Sequence, residues 1–99
     1  MEKKNLQIKD VQEAIKSFTD GIKKAPTENQ LLYDLYFGRG LAEKGMKNFR
    51  NAIEDFEKAI TINPLQISSY LEIFNCQFEL GKFMDAIETF KKHLVVRIK

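Results

Sequence analysis

The sequence predicts an all-α protein, built as a solenoid of antiparallel helical hairpins. Three observations predict it. The apolar and small residues of the stretch 48–64 fall at Phe49, Ala52, Ile53, Phe56, Ala59 and Ile60, the steps of three and four that mark one face of an amphipathic helix. That pattern returns upstream at Ala14, Phe18, Gly21, Ile22 and Pro26, and downstream at Ala86, Ile87, Phe90, His93 and Leu94. The spacing is also regular. Ala14 to Ala52, Phe18 to Phe56, Gly21 to Ala59 and Pro26 to Pro64 are each 38 positions, and Ala52 to Ala86 and Phe56 to Phe90 are each 34. Self-similarity at such a period signals hairpins that stack, because one hairpin cannot bury its own apolar face.

Five helices follow in order. Residues 1–9 carry, beyond Met1, only Leu6 and Ile8 as apolar content, and are compatible with a short helix, a disordered start or a stub. Asp10 and Glu13 form a capping box, so the first helix is expected from about Val11 to Lys24, with Pro26 beyond its end. The second is expected from near Glu28 to Lys44, closed by Gly45. Asn48 caps the third, which runs to Ile62 ahead of Pro64. The fourth runs from about Gln66 to Leu80 and is closed by Gly81. Apolar residues on more than one of its sides suit a helix between two neighbours. The fifth runs from about Phe83 to Val96.

Composition excludes more than it assigns. The 99 residues make one domain, 43% hydrophobic and 30% charged, and the net charge of +2 gives no argument for nucleic acid or an anionic membrane. No apolar run reaches transmembrane length, and the N-terminus lacks the apolar core of a signal peptide. A cytoplasmic location is therefore expected. Cys76, the single cysteine, allows no internal disulfide and reads as a buried thiol. His93, the single histidine, lies on a predicted buried face with no second ligand at metal spacing. There is no Ser–His–acid set and no phosphate cradle; Gly38-Arg39-Gly40 follows no strand and precedes no Lys-Ser/Thr. No enzyme, cofactor or metal is expected.

The run Leu80-Gly81-Lys82-Phe83-Met84-Asp85-Ala86-Ile87, with Phe90 and Leu94 after it, resembles the tetratricopeptide repeat (TPR). That family's unit is a 34-residue helix–turn–helix with a turn glycine, an aromatic two residues later, then Ala, aromatic, small residue and Pro. Gly45, Phe49, Ala52, Phe56, Ala59 and Pro64 supply a second copy; Val11, Ala14, Phe18, Gly21 and Pro26 supply the latter half of a first. The resemblance implies one domain over residues 1–99, with repeats at 11–26, 28–64 and 66–97, in a right-handed superhelix. Gly38 is expected at the family's small position on the first helix of the second repeat. Two of the four added residues are expected ahead of that helix and two in the turn after it, which puts Asp34 where the family often has Trp.

By the same resemblance the chain is a protein-interaction module, a scaffold or adaptor, with a concave groove for a peptide or a partner helix. The residues expected to line it are Leu32, Leu35, Arg39 and Ala42 on the second helix, and Leu71, Asn75 and Phe78 on the fourth. Family members that bind the acidic C-termini of heat-shock chaperones hold them in a clamp of Lys, Asn and Arg. Here the Asn position falls on Tyr36 and the Lys and Arg positions on Ser68 and Glu72, so a clamp of that kind is not expected. RNA is disfavoured, since pentatricopeptide-type reading takes one base per repeat and there are too few repeats. The alternative is self-association through uncapped ends. Members usually finish with a further helix over the last hairpin, and the residues here leave none. Leu94, Val95, Val96 and Ile98 are then expected to stay partly exposed, and a homodimer through the last helix is the consequence.

Overall fold

The computed structural model describes the backbone of residues 2–24 and 27–98, and the side chains of 8–24 and 27–95. Five helices follow one another: α1 (Glu2–Lys23), α2 (Asn29–Gly45), α3 (Phe49–Ile62), α4 (Ile67–Glu79) and α5 (Phe83–Ile98). No strand occurs among the described residues. Each helix packs chiefly on the next, α1 on α2, α2 on α3, α3 on α4 and α4 on α5. That sequential contact is the hallmark of a solenoid.

The first helix is longer than its sequence signals suggest. Asp10 does not cap it, because the helix already runs from Glu2 and Asp10 lies mid-helix and exposed. Capping residues bond to a free amide only where no earlier turn has claimed it. Pro26, the expected stop, lies outside the described residues. The next two helices also start without a side-chain cap. Glu28 stands at the N-cap of α2 without a side-chain cap bond, and Asn48 at that of α3 turns its amide to Glu43 Oε1, 2.9 Å away.

The step of 38 is taken up in one place. α2 and α4 end 34 positions apart, and α3 and α5 begin 34 apart, but the starts of α2 and α4 are 38 apart. The four extra residues are therefore one added turn at the start of α2, since a turn takes 3.6 residues. The expectation of two residues before the helix and two in the turn is corrected accordingly. So is the role of the glycines. Gly45 is the last residue of α2, and Lys47 takes the left-handed conformation beyond it at φ 65°, matching Gly81 at φ 76° after α4. Asn48 N–H donates to Glu43 O and Lys82 N–H to Gln77 O, at 2.9 and 2.8 Å. These are the same closing bond in two successive turns.

With the register set at 34, the glycine that packs against α3 is Gly40, while Gly38 packs against α1. Gly40 is buried, and a Cβ there would stand 2.7 Å from the Phe56 ring; Gly38 instead makes room for Phe18 of α1. The aromatic position falls on Tyr36, equivalent to Tyr70, and Asp34 is a solvent residue that accepts from Gln30 Nε2 at 2.9 Å. The core forms where α2, α3 and α4 meet. Ala52, Phe56, Ile73 and Cys76 are buried there, with Phe37, Phe49, Ile53 and Ile60 packed around them.

Candidate protein-binding surface

Two polar bonds fasten α2 to α4. Tyr33 Oη and Ser69 Oγ lie 2.8 Å apart in a buried contact, and Lys44 Nζ donates to Glu72 Oε1 at 2.6 Å in a partly exposed one. The outward sides of the two helices thus form one open face. On α4 it carries Leu71, Asn75 and Phe78, all exposed, with Leu71 at 51% and Phe78 at 56%. Large apolar side chains with half their area in water are candidates for a contact.

The α2 residues expected beside them point elsewhere. Leu35 packs toward α1, so close that a Cβ on Gly21 would lie 3.0 Å from its Cδ2. Arg39 is a structural cation. Its Nε and Nη2 donate to the two oxygens of Asp55 on α3 at 3.0 and 2.8 Å, and its Nη1 to Thr19 Oγ1 on α1 at 3.2 Å. The Asp55 carboxylate is 5% exposed, and its hydrogen bond raises the guanidinium pKa above the ordinary value against the lowering by burial. A bidentate pair that joins three helices in this way is not a free recognition group. Leu32 and Ala42 are half-buried.

The reason is the register. Leu35, Arg39 and Ala42 stand 36 positions before Leu71, Asn75 and Phe78, and a slip of two residues turns a helix by about 200°. At 34 the α2 partners of those residues are Phe37, Leu41 and Lys44. Leu41 is 40% exposed, Phe37 packs on the core and Lys44 holds Glu72. Leu41 is thus the face residue missed from the sequence. The signal that could have found it was the 34-position step from Phe49 to Phe83, Ala52 to Ala86 and Phe56 to Phe90, carried back across the turn into α2.

The reactive side chains are placed for packing. Cys76 is fully buried, and burial pushes its thiol up to about 11, so it is protonated near neutral pH. His93 is 9% exposed, its ring 5.4 Å from that of Tyr70. Among the described residues no helix is long and apolar enough to cross a membrane.

Residues 33–64 match the tetratricopeptide repeat; the match begins at Tyr33, after the added turn of α2. Small glutamine-rich tetratricopeptide repeat-containing protein 2 of Saccharomyces cerevisiae is 33% identical over 91 residues, 92% of this chain and 25% of that protein. Human tetratricopeptide repeat protein 4 is 32% identical over 79 residues, 80% of this chain and 20% of its own length. Among solved structures, the Hsp90 co-chaperone Cns1 of Saccharomyces cerevisiae superimposes with a TM-score of 0.81 at 26% identity, over 92% of this chain and 29% of that one. MamA superimposes with a TM-score of 0.78 at 32% identity, over 91% and 47%. The chain spans about a quarter of the length of the first of these curated relatives and less of the second.

Proposed function

The chain belongs to the tetratricopeptide repeat family, and from that premise we propose that it recognises a protein partner on the open face of α2 and α4. The family are protein-interaction modules, and the role proposed for this chain is recognition rather than catalysis. One observation carries the site. Leu41, Leu71 and Phe78 stand exposed on two helices that the Tyr33–Ser69 and Lys44–Glu72 bonds hold side by side. Apolar anchors on a rigid frame lose little entropy on binding. Asp34 and Glu79 are exposed on the same helices, and the one lysine there already holds Glu72. The fitting ligand is an amphipathic helix or extended peptide with leucine or aromatic anchors and a neutral or basic flank.

A relative 31% identical over 80 residues is the Hsp70/Hsp90 co-chaperone CNS1 of Saccharomyces cerevisiae, and service in a chaperone assembly is the natural setting for this chain too. The contact would not be the carboxylate clamp. In the 34 register the clamp's Asn position moves from Tyr36 to Gly38, which offers no side-chain amide, while Ser68 and Glu72 replace its cations. Glu72 is moreover engaged by Lys44.

Calorimetric titration tests both parts. A peptide ending in EEVD should give no measurable heat, and amphipathic helical peptides with apolar anchors should bind. Leu41→Ser and Leu71→Ser, both at exposed sites, should keep the helical circular dichroism and each weaken binding by about 2 kcal/mol, roughly thirtyfold. Salt-sensitive binding of the EEVD peptide, or full affinity in both variants, would refute the reading.

A further inference from the structure

The 34-residue register exposes a second surface, at the end of the solenoid. Phe49, Ile53, Phe56 and Ile60 on α3 lie in or against the core, where α4 covers them with Ile73 and Cys76. Their counterparts on α5 are Phe83, Ile87, Phe90 and Leu94, and every one is open, at 54%, 46%, 51% and 43%. The α4–α5 hairpin therefore presents to water the face that the α2–α3 hairpin presents to a helix.

We propose that a second copy of this chain covers that face, with α5 lying antiparallel on α5 about a twofold axis. Three features single out a second copy. The face needs a helix with an apolar stripe several turns long, and among the described residues α5 is the helix that offers one to solvent. Among the described side chains the open side of α1 is charged, with Lys9, Asp10, Glu13, Lys16 and Asp20 exposed beside the apolar Ile8, so head-to-tail stacking of copies meets little apolar surface there. Second, the stripe is spaced four, three and four, which reads the same in both directions. An antiparallel twofold sets Phe83 against Leu94 of the partner subunit and Ile87 against Phe90 of the partner subunit, the self-complementary layout a closed dimer requires. Third, the exposed charges of α5 are ordered, Asp85 and Glu88 in its first half and Lys91 and Lys92 in its second. Antiparallel pairing brings acid beside base, and opposes the two helix dipoles; parallel pairing brings like beside like.

The two surfaces adjoin, since Leu71 lines a cleft with Phe90 and the Phe78 ring lies 5.0 Å from that of Phe83; Leu41 on α2 belongs to the recognition face and Ile87 to the end face, so Leu41→Ser and Ile87→Glu let each fail alone. Sedimentation equilibrium of the chain from micromolar to millimolar concentration should fit a monomer–dimer equilibrium. Ile87→Glu, at a site outside the core, should weaken it by more than about tenfold, since the twofold repeats the substitution, with helical circular dichroism retained. Orientation is read by cross-linking. A mixture of Phe83→Cys and Leu94→Cys chains should form the mixed disulfide and neither homodisulfide, because like positions would stand about 16 Å apart along the axis; buried Cys76 does not compete. A chain that remains monomeric at millimolar concentration overturns the proposal, in favour of a foreign helix if an added amphipathic peptide then protects α5. A dimer indifferent to Ile87→Glu, or homodisulfides in the single variants, overturns it as well.

Discussion

The two complete hairpins, α2–α3 and α4–α5, carry the same pattern 34 positions apart and put it to different use. Phe56 is fully buried, while Phe90 at the matching place is 51% exposed. Neither ring is covered by its own hairpin alone. Phe56 is covered because α4 brings Ile73 and Cys76 over it, and because Gly40 lets its ring against α2. At Gly40's counterpart the second hairpin has Phe74, which forms an apolar cleft with Tyr70, Leu71, Phe90 and His93. Burial in a solenoid is thus a property of the neighbour, and a repeat motif marks the ability to be buried, not burial itself.

The comparison is sharpest at the two phenylalanines. Phe56→Ala should cost about 3–5 kcal/mol, the range for emptying a packed core site, and should unfold a marginally stable domain of this size. Phe90→Ala should cost about 1 kcal/mol or less, because half its surface is already in water. Thermal melts followed by circular dichroism measure both. Equal losses would mean that the end face is covered in solution, and at concentrations where the chain is dimeric the Phe90 loss should indeed grow.

The polar pairs differ in the same direction. Arg39 and Asp55 of the first hairpin correspond to Ile73 and Thr89 of the second, where Thr89 Oγ1 donates to Gln77 Oε1 at 2.7 Å. Arg39→Met leaves the nearly buried Asp55 carboxylate unpaired and should cost about 3 kcal/mol. Adding Asp55→Leu should restore most of it, because the charge is then gone along with its partner. Thr89→Val should cost only about 1 kcal/mol. A double-mutant cycle on Arg39 and Asp55 gives the coupling directly. A value near zero would reduce the pair to a surface contact and remove the polar lock between α1, α2 and α3.

Gly40→Ala ranks next. Its Cβ would enter the space of Phe56 at 2.7 Å, against a ring packed on all sides, so a loss of about 1–3 kcal/mol is expected despite alanine's better helix propensity. Gly45→Ala is the control in the same helix. Nothing lies within 4 Å of a Cβ there, and the change should be neutral or stabilising by up to about 1 kcal/mol. Urea midpoints for the two variants should move in opposite directions. A shift of both in the same direction would take Gly40 out of the core contact.

Much of this architecture was legible in the residues. The apolar steps from Phe49 to Ile60 located α3, and its copies at Ala14 and Ala86 located α1 and α5, because helix periodicity survives wherever one face is buried. The register of α2 was not legible from glycines. Gly38, Gly40 and Gly45 all look like turn or contact residues, and only coordinates separate the one that meets Phe56 from the one that meets Phe18. Lysine at the left-handed position hid the turn. From that slip came the misplaced half of the groove, with Leu35 and Arg39 turned to α1 and α3 and Leu41 overlooked. The α4 half, Leu71, Asn75 and Phe78, needed no register shift and lies on the open face. Helix lengths at the chain's start were equally out of reach, since Asp10 and Glu13 spell a cap that the preceding turns of α1 make redundant.

The smallest effect runs against all the others, because here the second hairpin is the better built. Lys47 and Gly81 both close a helix with positive φ, at 65° and 76°, and both turns keep the same bond from the following amide. A side chain in that conformation brings Cβ against the carbonyl oxygen, which costs about 1 kcal/mol for L-residues other than glycine and asparagine. Lys47 is exposed and makes no ion pair among the described residues, so little is lost with its side chain. Lys47→Gly should therefore stabilise the domain by about 0.5–1 kcal/mol, net of the greater freedom glycine has in the unfolded chain. That corresponds to a rise of a few degrees in Tm for a chain of this length. Gly81→Lys should destabilise by a similar amount, and the double exchange should be near neutral. A fall in Tm for Lys47→Gly would show that the two turns are not equivalent, and with them the 34-residue register on which the open face and the end face both rest.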